Sequence, residues 1–271
     1  MTLSRQIGLE RMAVALATII FLLPAAWLVM TAYKPATAIF ASPPALFFTP
    51  TLDNFRAIGQ LYDVPSLLRS SLTISIGSTL LSLLIGAPCG YALARSKNRL
   101  ALGLAYFFLG IRTVPPVATL LPFYLLMRNI GLLGTTASVI LIDTVLNCAF
   151  VTWMMFSYFR ALPPELNEAA LTDGCTLWGA FFRVDLPCAR SGLLASALFC
   201  MLFSWNDFLY ASFLTQLDSR PLSVALVTAY GTYDISWGTL GALAHVATVP
   251  IVLMVLMLNR YFVSGVVRGV H

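Results

Sequence analysis

The sequence predicts an all-helical integral membrane protein with six transmembrane helices and a polar loop between the fourth and the fifth. Of the 271 residues, 59% are hydrophobic and only 10% are charged, and the mean hydropathy is +0.86. Soluble domains are typically about 45–50% apolar and about 25% charged. Stretches of roughly 20 apolar residues, the length that crosses a bilayer core, recur along the chain. A water-soluble fold could not bury this much apolar surface.

We assign six spans to one membrane domain that covers residues 1–271. The first apolar run has about 22 residues, longer than the roughly 7–15 of a signal peptide, so we expect an uncleaved anchor. The sequence contains neither an internal repeat nor a low-complexity tail. The predicted spans are 12–33, 70–94, 100–121, 136–159, 193–215 and 239–261.

Six spans place both termini on the same side of the membrane, and the basic residues indicate which side. If the N-terminus is inside, the inner segments hold ten basic residues and the outer segments hold five. By the positive-inside rule, both termini and the loop of residues 160–192 are then cytoplasmic. The inner ten are Arg5, Arg11, Arg95, Lys97, Arg99, Arg160, Arg183, Arg190, Arg260 and Arg268, and the outer five are Lys34, Arg56, Arg69, Arg128 and Arg220.

Two longer loops are predicted on the outer side. Residues 34–69 contain several prolines, which disfavour a regular helix and indicate an extended cap. Residues 216–238 mix aromatic and polar side chains and are suited to contact a soluble partner.

The composition excludes several classes of function. Although the net charge is +5, the basic residues are scattered singly, which argues against a nucleic-acid-binding patch. The five cysteines form no CxxC pair, so we expect neither a disulfide framework nor a zinc site. Phosphate-loop, HExxH and GxSxG motifs are absent from the sequence. We therefore expect no catalytic residue, no metal and no cofactor in this chain.

The polar loop opens with a short helix, predicted over residues 164–173. Pro164 suits the first turn, and Glu165 and Glu168 complement the positive end of the helix dipole. Gly174 can adopt the left-handed conformation that ends a helix. One face of this helix is shallow, because two of its members are alanines. The residues of that face are Leu166, Ala169, Ala170 and Asp173.

A second short helix is predicted from Thr176 to just before Pro187. It would present an aromatic knob made of Trp178, Phe181 and Phe182. The residues alone leave two interpretations of the loop open. It either docks to a cytoplasmic partner or lies as an amphipathic segment against lipid headgroups.

Ionisable side chains inside the spans form a second candidate site. A charge near the bilayer centre costs about 3 kcal/mol unless it is paired or hydrated. From the helix rise and a core of about 30 Å, we place all of these residues roughly 9–12 Å below the outer edge of the bilayer core. They are Arg112, Asp143, Asp207 and His245.

We predict that Arg112 pairs with Asp143 or Asp207, in a polar layer that also includes Asn147 and Asn206. The layer is either a structural ion pair or a set of direct contacts to a solute, and both interpretations stay open. His245 is expected to be a packing residue. Three prolines interrupt span three and either form part of a gate or simply end the helix. They are Pro115, Pro116 and Pro122.

The segment "EAALTDGCTLWGAFFRVDLP" resembles the EAA loop of permease subunits of bacterial binding-protein-dependent ATP-binding-cassette (ABC) importers. That pattern runs Glu-Ala-Ala, two residues, Asp-Gly, and then an aromatic residue and a proline at fixed distances. The matching positions are Glu168, Ala169, Ala170, Asp173, Gly174, Phe181 and Pro187.

Segments along nearly the whole chain are similar to the maltose-type carbohydrate permeases of this class. They include "YALARSKNR", "RTVPPVATLLPFYLLMRNIGLLGT" and "FSWNDFLYASFLT". The resemblance implies a multi-pass permease of the bacterial inner membrane that imports a sugar or polyol. The implied ATPase-coupling residues are Glu168, Ala169, Ala170, Asp173, Gly174, Trp178, Phe181 and Pro187.

The resemblance also implies partners. A second, similar permease would complete the pathway, and two cytoplasmic ATPase subunits, which hold ATP and Mg, would bind the EAA loop. An extracytoplasmic solute-binding protein would dock on the outer loops 34–69 and 216–238. ATP hydrolysis is therefore expected in separate subunits.

The sequence departs from the family pattern at several positions. Cys175 replaces the more usual alanine, Asp185 introduces a charge where an apolar residue is common, and the chain ends in Val-His rather than Lys-Gly. Span four reads "NCAFVTW", where the family often has a proline before the Phe. These departures limit what the resemblance implies about the solute or the gate.

A stand-alone secondary transporter is the alternative function. It would require an ion-coupling site and usually repeat symmetry, and the sequence shows neither.

Overall fold

The computed structural model describes residues 2–230 and 236–268, with side chains for 11–98, 100–230 and 236–257. The chain is helical, with no β-strand in those ranges. The helices are α1 (Thr2–Tyr33), α2 (Ala36–Ile39), α3 (Asp53–Leu61), α4 (Val64–Arg95), α5 (Arg99–Ile111), α6 (Pro116–Asn129), α7 (Thr136–Ala161), α8 (Pro164–Thr172), α9 (Leu177–Ala180), α10 (Leu186–Cys188), α11 (Arg190–Trp205), α12 (Leu209–Leu214), α13 (Leu222–Tyr230) and α14 (Trp237–Arg268), with a π-helix at Phe181–Asp185 between α9 and α10.

Four helices in the described part of the chain are long and apolar enough to cross a membrane. They are Arg11–Tyr33, Val64–Arg95, Thr136–Ala161 and Trp237–Met257. Two further segments pass the same test as bent pairs, and counting each pair as one span gives six crossings. The bent pairs are Leu100–Ile111 with Pro116–Asn129, at 89°, and Leu177–Cys188 with Arg190–Trp205, at 79°.

The predicted third span, residues 100–121, is divided in the structure. Helix α5 ends at Ile111, and α6 starts at Pro116 in a new direction. Pro115 and Pro116 cannot donate backbone hydrogen bonds, and each disfavours helical geometry in the residue before it. The prolines therefore redirect the chain instead of only ending a helix.

The predicted fifth span, residues 193–215, is also interrupted. Helix α11 ends at Trp205, and the chain resumes as α12. The Asp207 carboxylate accepts hydrogen bonds from the backbone N–H of Tyr210 at 3.3 Å and of Ala211 at 3.0 Å. This is the capping role that short acidic side chains play at helix N-termini, so Asp207 starts the new helix.

Contacts divide the chain into two compact units, which are described separately. The first unit comprises residues 1–64 and 226–250. In it, the Asn54 side-chain amide donates to the backbone carbonyls of Ala32 at 2.9 Å and Lys34 at 2.8 Å. These two bonds hold the start of α3 against the end of α1.

His245 packs within the first unit. Its ring lies edge-on to Tyr33 and Phe55, with centroids 5.6 Å and 5.9 Å away. The Tyr33 hydroxyl is 3.4 Å from His245 Nε2, while Nδ1 has no hydrogen-bond partner among the described residues. These contacts agree with the prediction that His245 is a packing residue.

The second unit comprises residues 65–225 and 251–271 and contains both candidate sites. Its helices approach closely because α4 presents buried serines toward α7 and α11. Ser78 Oγ donates to Ser204 Oγ at 2.8 Å, and Ser82 Oγ donates to the Thr144 carbonyl at 3.3 Å. Small and hydroxyl-bearing residues at such contacts are typical of helix packing in membranes.

Glycine allows α4 and α7 to approach closely near the C-terminal end of α4. A Cβ atom added at Gly90 would lie 2.7 Å from the Thr152 carbonyl oxygen and 2.8 Å from the Phe156 nitrogen. Both are backbone atoms, so the helices themselves would have to separate. The helix–helix contact therefore requires glycine at this position.

We expect Gly90→Ala to lower the thermal stability of the detergent-purified protein, because overpacking typically costs about 1–3 kcal/mol. Gly103→Ala is the matched control, since nothing lies within 4 Å of an added Cβ there. Thermal unfolding followed by circular dichroism measures both. Equal unfolding temperatures for the two variants would contradict this close approach.

Two apolar clusters fill the second unit. One lies beside the bend of span three and contains Ile74, Met127, Val139, Ile142, Tyr210, Ala211, Leu214 and Val224. The other packs against the polar loop and contains Ala87, Tyr91, Val151, Met155, Phe159, Phe181, Ala189 and Cys200.

Candidate functional site

The polar loop opens with the short helix that the sequence predicts. Helix α8 spans Pro164–Thr172, Asp173 follows as its C-cap, and Gly174 has a φ of +87°. The Cys175 N–H donates to the Ala170 carbonyl at 3.0 Å, closing the helix end around the glycine. This left-handed position is strained for any residue with a side chain, which accounts for Gly174.

The shallow face predicted on α8 is divided in the structure. Leu166, Ala169 and Asp173 are exposed, as is Glu168, but Ala170 is buried with 7% of its surface accessible. Ala170 therefore packs within the chain and is not available for close approach by a partner. The prediction that all four residues form one exposed face is wrong for Ala170. Positions i, i+3 and i+4 span a wide arc of a helix, and one edge of that arc packs against the rest of the chain.

The second part of the loop differs from the predicted helix. Thr176 caps α9 by accepting from the Gly179 N–H, as its position suggests, but the helical path continues past Pro187 to Cys188. A π-helical turn precedes this proline, and the Leu186 N–H bonds to the Phe181 carbonyl. The wider turn changes the backbone pairing next to the proline, which cannot donate a hydrogen bond of its own.

The predicted aromatic knob has two members, not three. Trp178 and Phe182 are 61% and 57% exposed and stack with centroids 5.9 Å apart. Phe181 is buried, with its ring 5.0 Å from that of Tyr91 and 6.0 Å from that of Phe159. Phe181 therefore anchors the loop to α4 and α7, and the other two rings face outward.

A buried polar network joins the loop to the end of α4. Asp185 is 1% exposed and forms an ion pair with Arg95, the last residue of α4. The Asn167 side-chain amide donates to the Asp185 carboxylate at 2.7 Å and to the Tyr91 hydroxyl at 2.6 Å. The four residues of this network thus come from α4, α8 and the π-helix.

The sequence marks Asp185 only as a departure from the family pattern and Arg95 only as one of the inner basic residues, and it does not single out Tyr91 or Asn167. A buried charge needs a partner, so Asp185 predicts a nearby cation. Arg95 is a candidate for this cation, because it follows the predicted second span on the side of the membrane where the polar loop is also predicted.

An intramembrane cavity of about 190 Å³ brings together most of the predicted polar layer. Its lining residues are Ile111, Arg112, Val114, Pro116, Asp143, Leu146, Asn147, Phe203, Asp207 and Tyr210. The bend between α5 and α6 supplies one wall, and α7 and the end of α11 supply the others.

The predicted ion pair of Arg112 with Asp143 or Asp207 is not formed. Arg112 Nη1 instead donates to Asn147 Oδ1 at 3.2 Å, and the guanidinium lies 3.7 Å from the centre of the Phe203 ring. A guanidinium over an aromatic face gains cation–π attraction and is less strongly hydrated than an ammonium group. This stacking takes the place of the predicted pairing.

The two aspartates have different environments. Asp207 caps α12, as described above. Asp143 is 5% exposed, and its Oδ2 atom has no hydrogen-bond partner among the described residues.

Asn206, the remaining predicted member of the layer, is exposed and its side chain donates to the Leu202 carbonyl at 2.8 Å. Asn206 does not line the cavity, since it caps the end of α11.

Comparison with known proteins identifies the class of this molecule. Residues 82–268 match the family described as "binding-protein-dependent transport system inner membrane component", and the chain belongs to this family. It is a multi-pass inner-membrane permease of the ABC-transporter type. The matched region contains both the polar loop and the cavity.

Several relatives align over nearly their full length. A probable ABC transporter permease of Sinorhizobium fredii is 31% identical, with 92% of this chain and 90% of that protein covered. The trehalose transport system permease protein SugB of Mycobacterium tuberculosis is 32% identical (92% and 91% covered). The diacetylchitobiose uptake system permease of Streptomyces coelicolor is 31% identical (93% and 84% covered).

A solved structure has the same fold. It is a bacterial ABC transporter involved in the import of the acidic polysaccharide alginate, with a TM-score of 0.78 and 18% identity over 95% of this chain and 97% of that one. At this identity the match supports the fold alone.

Proposed function

We propose that this chain is the transmembrane permease subunit of an ATP-driven importer of carbohydrate. The named relatives transport trehalose and diacetylchitobiose, which supports a sugar or polyol as the solute. A second permease would complete the pathway. A solute-binding protein would deliver the solute to the outer loops, 34–69 and 216–238.

The observation that supports this function most directly is the construction of the polar loop. Its inner side is fixed by the buried pair of Arg95 and Asp185 and by the Phe181 ring. Its exposed surface, which faces away from the rest of the chain, presents Glu168 and Ala169. A loop that is rigidly attached on one side and exposed on the other is suited to transmit force from a docked protein.

The docked protein would be an ATPase subunit that holds ATP and Mg. When two such subunits close, α8 would move with them, and its attachments would carry α4, α7 and α11 along. The cavity lies between α7, α11 and the α5–α6 bend, so the same movement would change its access. In this arrangement the loop of residues 160–192 and both termini are cytoplasmic.

The first helix requires an apolar environment, which lipid or a second permease would supply. Large apolar side chains of α1 are exposed within this chain, for example Phe21 at 82%. Such a surface is stable only against lipid or another membrane protein.

The test is to purify the chain from membranes through an affinity tag and to reconstitute it in liposomes. We expect ATPase subunits and a second permease to copurify, and labelled disaccharide uptake to require ATP and a solute-binding protein. If the tagged chain instead purifies without partner subunits and takes up sugar under an ion gradient, it is a secondary transporter.

A further inference from the structure

The end of α1 holds a buried lysine, Lys34, beside a second and largely apolar cavity. This cavity has a volume of about 320 Å³ and lies between α1, α2 and the start of α14, within the first unit. We infer that it binds an anionic phospholipid, whose phosphate group pairs with Lys34 and whose acyl chain lies along α1. The inference goes beyond the proposed function, because it concerns a lipid and not the transported solute.

Lys34 is buried although it directly follows a membrane span. Only 1% of its surface is exposed, whereas a lysine at the end of a span ordinarily extends its ammonium group toward water. Its side chain instead turns back toward α1, with Nζ 4.1 Å from the centre of the Trp27 ring. Among the described residues, Lys34 forms hydrogen bonds only through its backbone, to Thr31 and Asn54, and has no ion-pair partner.

The ammonium group of Lys34 therefore lacks a counter-ion. The rings of Trp27 and Phe48 attract it, but cation–π attraction offsets only part of the cost of removing a charge from water. Unlike His245 Nδ1, the Lys34 Nζ atom is not sealed from the surface, and Lys34 lines the cavity. A phosphate oxygen that enters the cavity would accept a charge-assisted hydrogen bond from it.

The depth and polarity of the cavity favour a lipid over a soluble anion or an acidic side chain of a docked protein. The α1 wall extends to Pro24, nine residues before the end of the helix and thus roughly 13 Å deeper in the membrane. Leu28 and Leu240 add apolar surface. Beyond Pro24, the exposed Ile20 and Phe21 continue the same stripe of α1. An acyl chain would follow this stripe, whereas a soluble anion has no contact to make there.

Two tryptophans indicate that Lys34 lies at the level of the lipid headgroups. Trp27 and Trp237 both line the cavity, and tryptophan is enriched where the bilayer meets water. No carboxylate lies among the described lining residues. The choline or ethanolamine cation of a zwitterionic lipid would find no counter-charge in this site. A lipid with net negative charge, such as phosphatidylglycerol, therefore fits better.

The test is native mass spectrometry of the assembled transporter in detergent, titrated with phosphatidylglycerol or with phosphatidylcholine of the same acyl chains. We expect phosphatidylglycerol to bind more tightly. Lys34→Met keeps an apolar side chain and should weaken this binding about tenfold or more, because a hydrogen bond between charged groups is lost. Lys34→Arg should retain it. Arg128→Met is the control, since it removes an exposed charge on the same predicted side of the membrane.

A pair of tryptophan variants fills the cavity without changing Lys34. Leu28 lines the cavity and Leu23 does not, and both are exposed on α1, at 40% and 60%. We expect Leu28→Trp to lose the bound phosphatidylglycerol and Leu23→Trp to keep it. Added inorganic phosphate should not displace the lipid from the wild-type protein.

Several results would overturn the inference. They are equal affinities for the two lipids, or unchanged phosphatidylglycerol binding in Lys34→Met or in Leu28→Trp. Displacement of the lipid by inorganic phosphate would show a site for soluble anions instead. If Lys34→Met loses a protein subunit and binds phosphatidylglycerol as before, Lys34 belongs to a protein interface. None of these measurements involves uptake, so the proposed function is tested separately.

Discussion

Ala169→Asp is expected to abolish ATP-dependent uptake while the chain still reaches the membrane in normal amount. Ala169 is exposed on α8 beside Glu168, on the side of the loop that would enter the ATPase. An unpaired charge buried in a protein interface costs about 3–5 kcal/mol. That corresponds to a loss of at least about 100-fold in the association of loop and ATPase.

Ala161→Asp is the matched control for this variant. It makes the same change at the exposed last residue of α7, outside the helix α8 that carries Glu168 and Ala169. Copurification of ATPase with tagged chain and uptake in liposomes give the two measurements. Wild-type copurification and uptake in Ala169→Asp would disprove docking through this surface.

The sequence predicts the helical membrane fold and α8 well, because both depend on local signals. Apolar runs of bilayer length, Pro164 in the first turn and Gly174 after the last turn each act within a few residues. Gly174 indeed has the left-handed φ that its place predicts. The bends at Pro115 and at Asp207 were harder to predict, since the length of an apolar run does not show whether the helix axis changes direction within it.

The side-chain partners could not be predicted, because they depend on how helices rotate against one another. Depth estimates bring Arg112, Asp143 and Asp207 to one level, and the structure does place them around one cavity. The depth of a residue does not determine the direction of its side chain around the helix axis, however. Arg112 contacts Phe203 and Asn147 instead of a carboxylate. In the same way, helix periodicity did not reveal that Ala170 and Phe181 face inward.

Asp185→Leu is expected to destabilise the protein strongly, and a second substitution, Arg95→Leu, is expected to restore stability but not transport. Removing one partner of a buried ion pair leaves the other charge unpaired, at a cost of about 3–5 kcal/mol. Arg95 has 17% of its side chain exposed, so solvent compensates only part of this loss. Replacing both partners by apolar residues is often neutral or stabilising.

Thermal unfolding of the single and double variants in detergent measures the energetic coupling of the pair. We expect the double variant to unfold within about 1 kcal/mol of the wild-type free energy, since neither charge is then left buried without its partner. Asn167 retains its hydrogen bond to Tyr91 in that variant, so the network does not lose every contact. A double variant as unstable as Asp185→Leu alone would show that the pair is not the source of the effect.

Transport distinguishes a merely structural pair from one that couples the loop to α4. The ion pair connects the π-helix directly to the last residue of α4. If this connection transmits ATPase closure, the double variant should hydrolyse ATP at a normal rate and import less solute for each ATP. If the pair only stabilises the fold, solute imported per ATP should recover together with stability, and α4 would then move through its glycine and serine contacts with α7 and α11 alone.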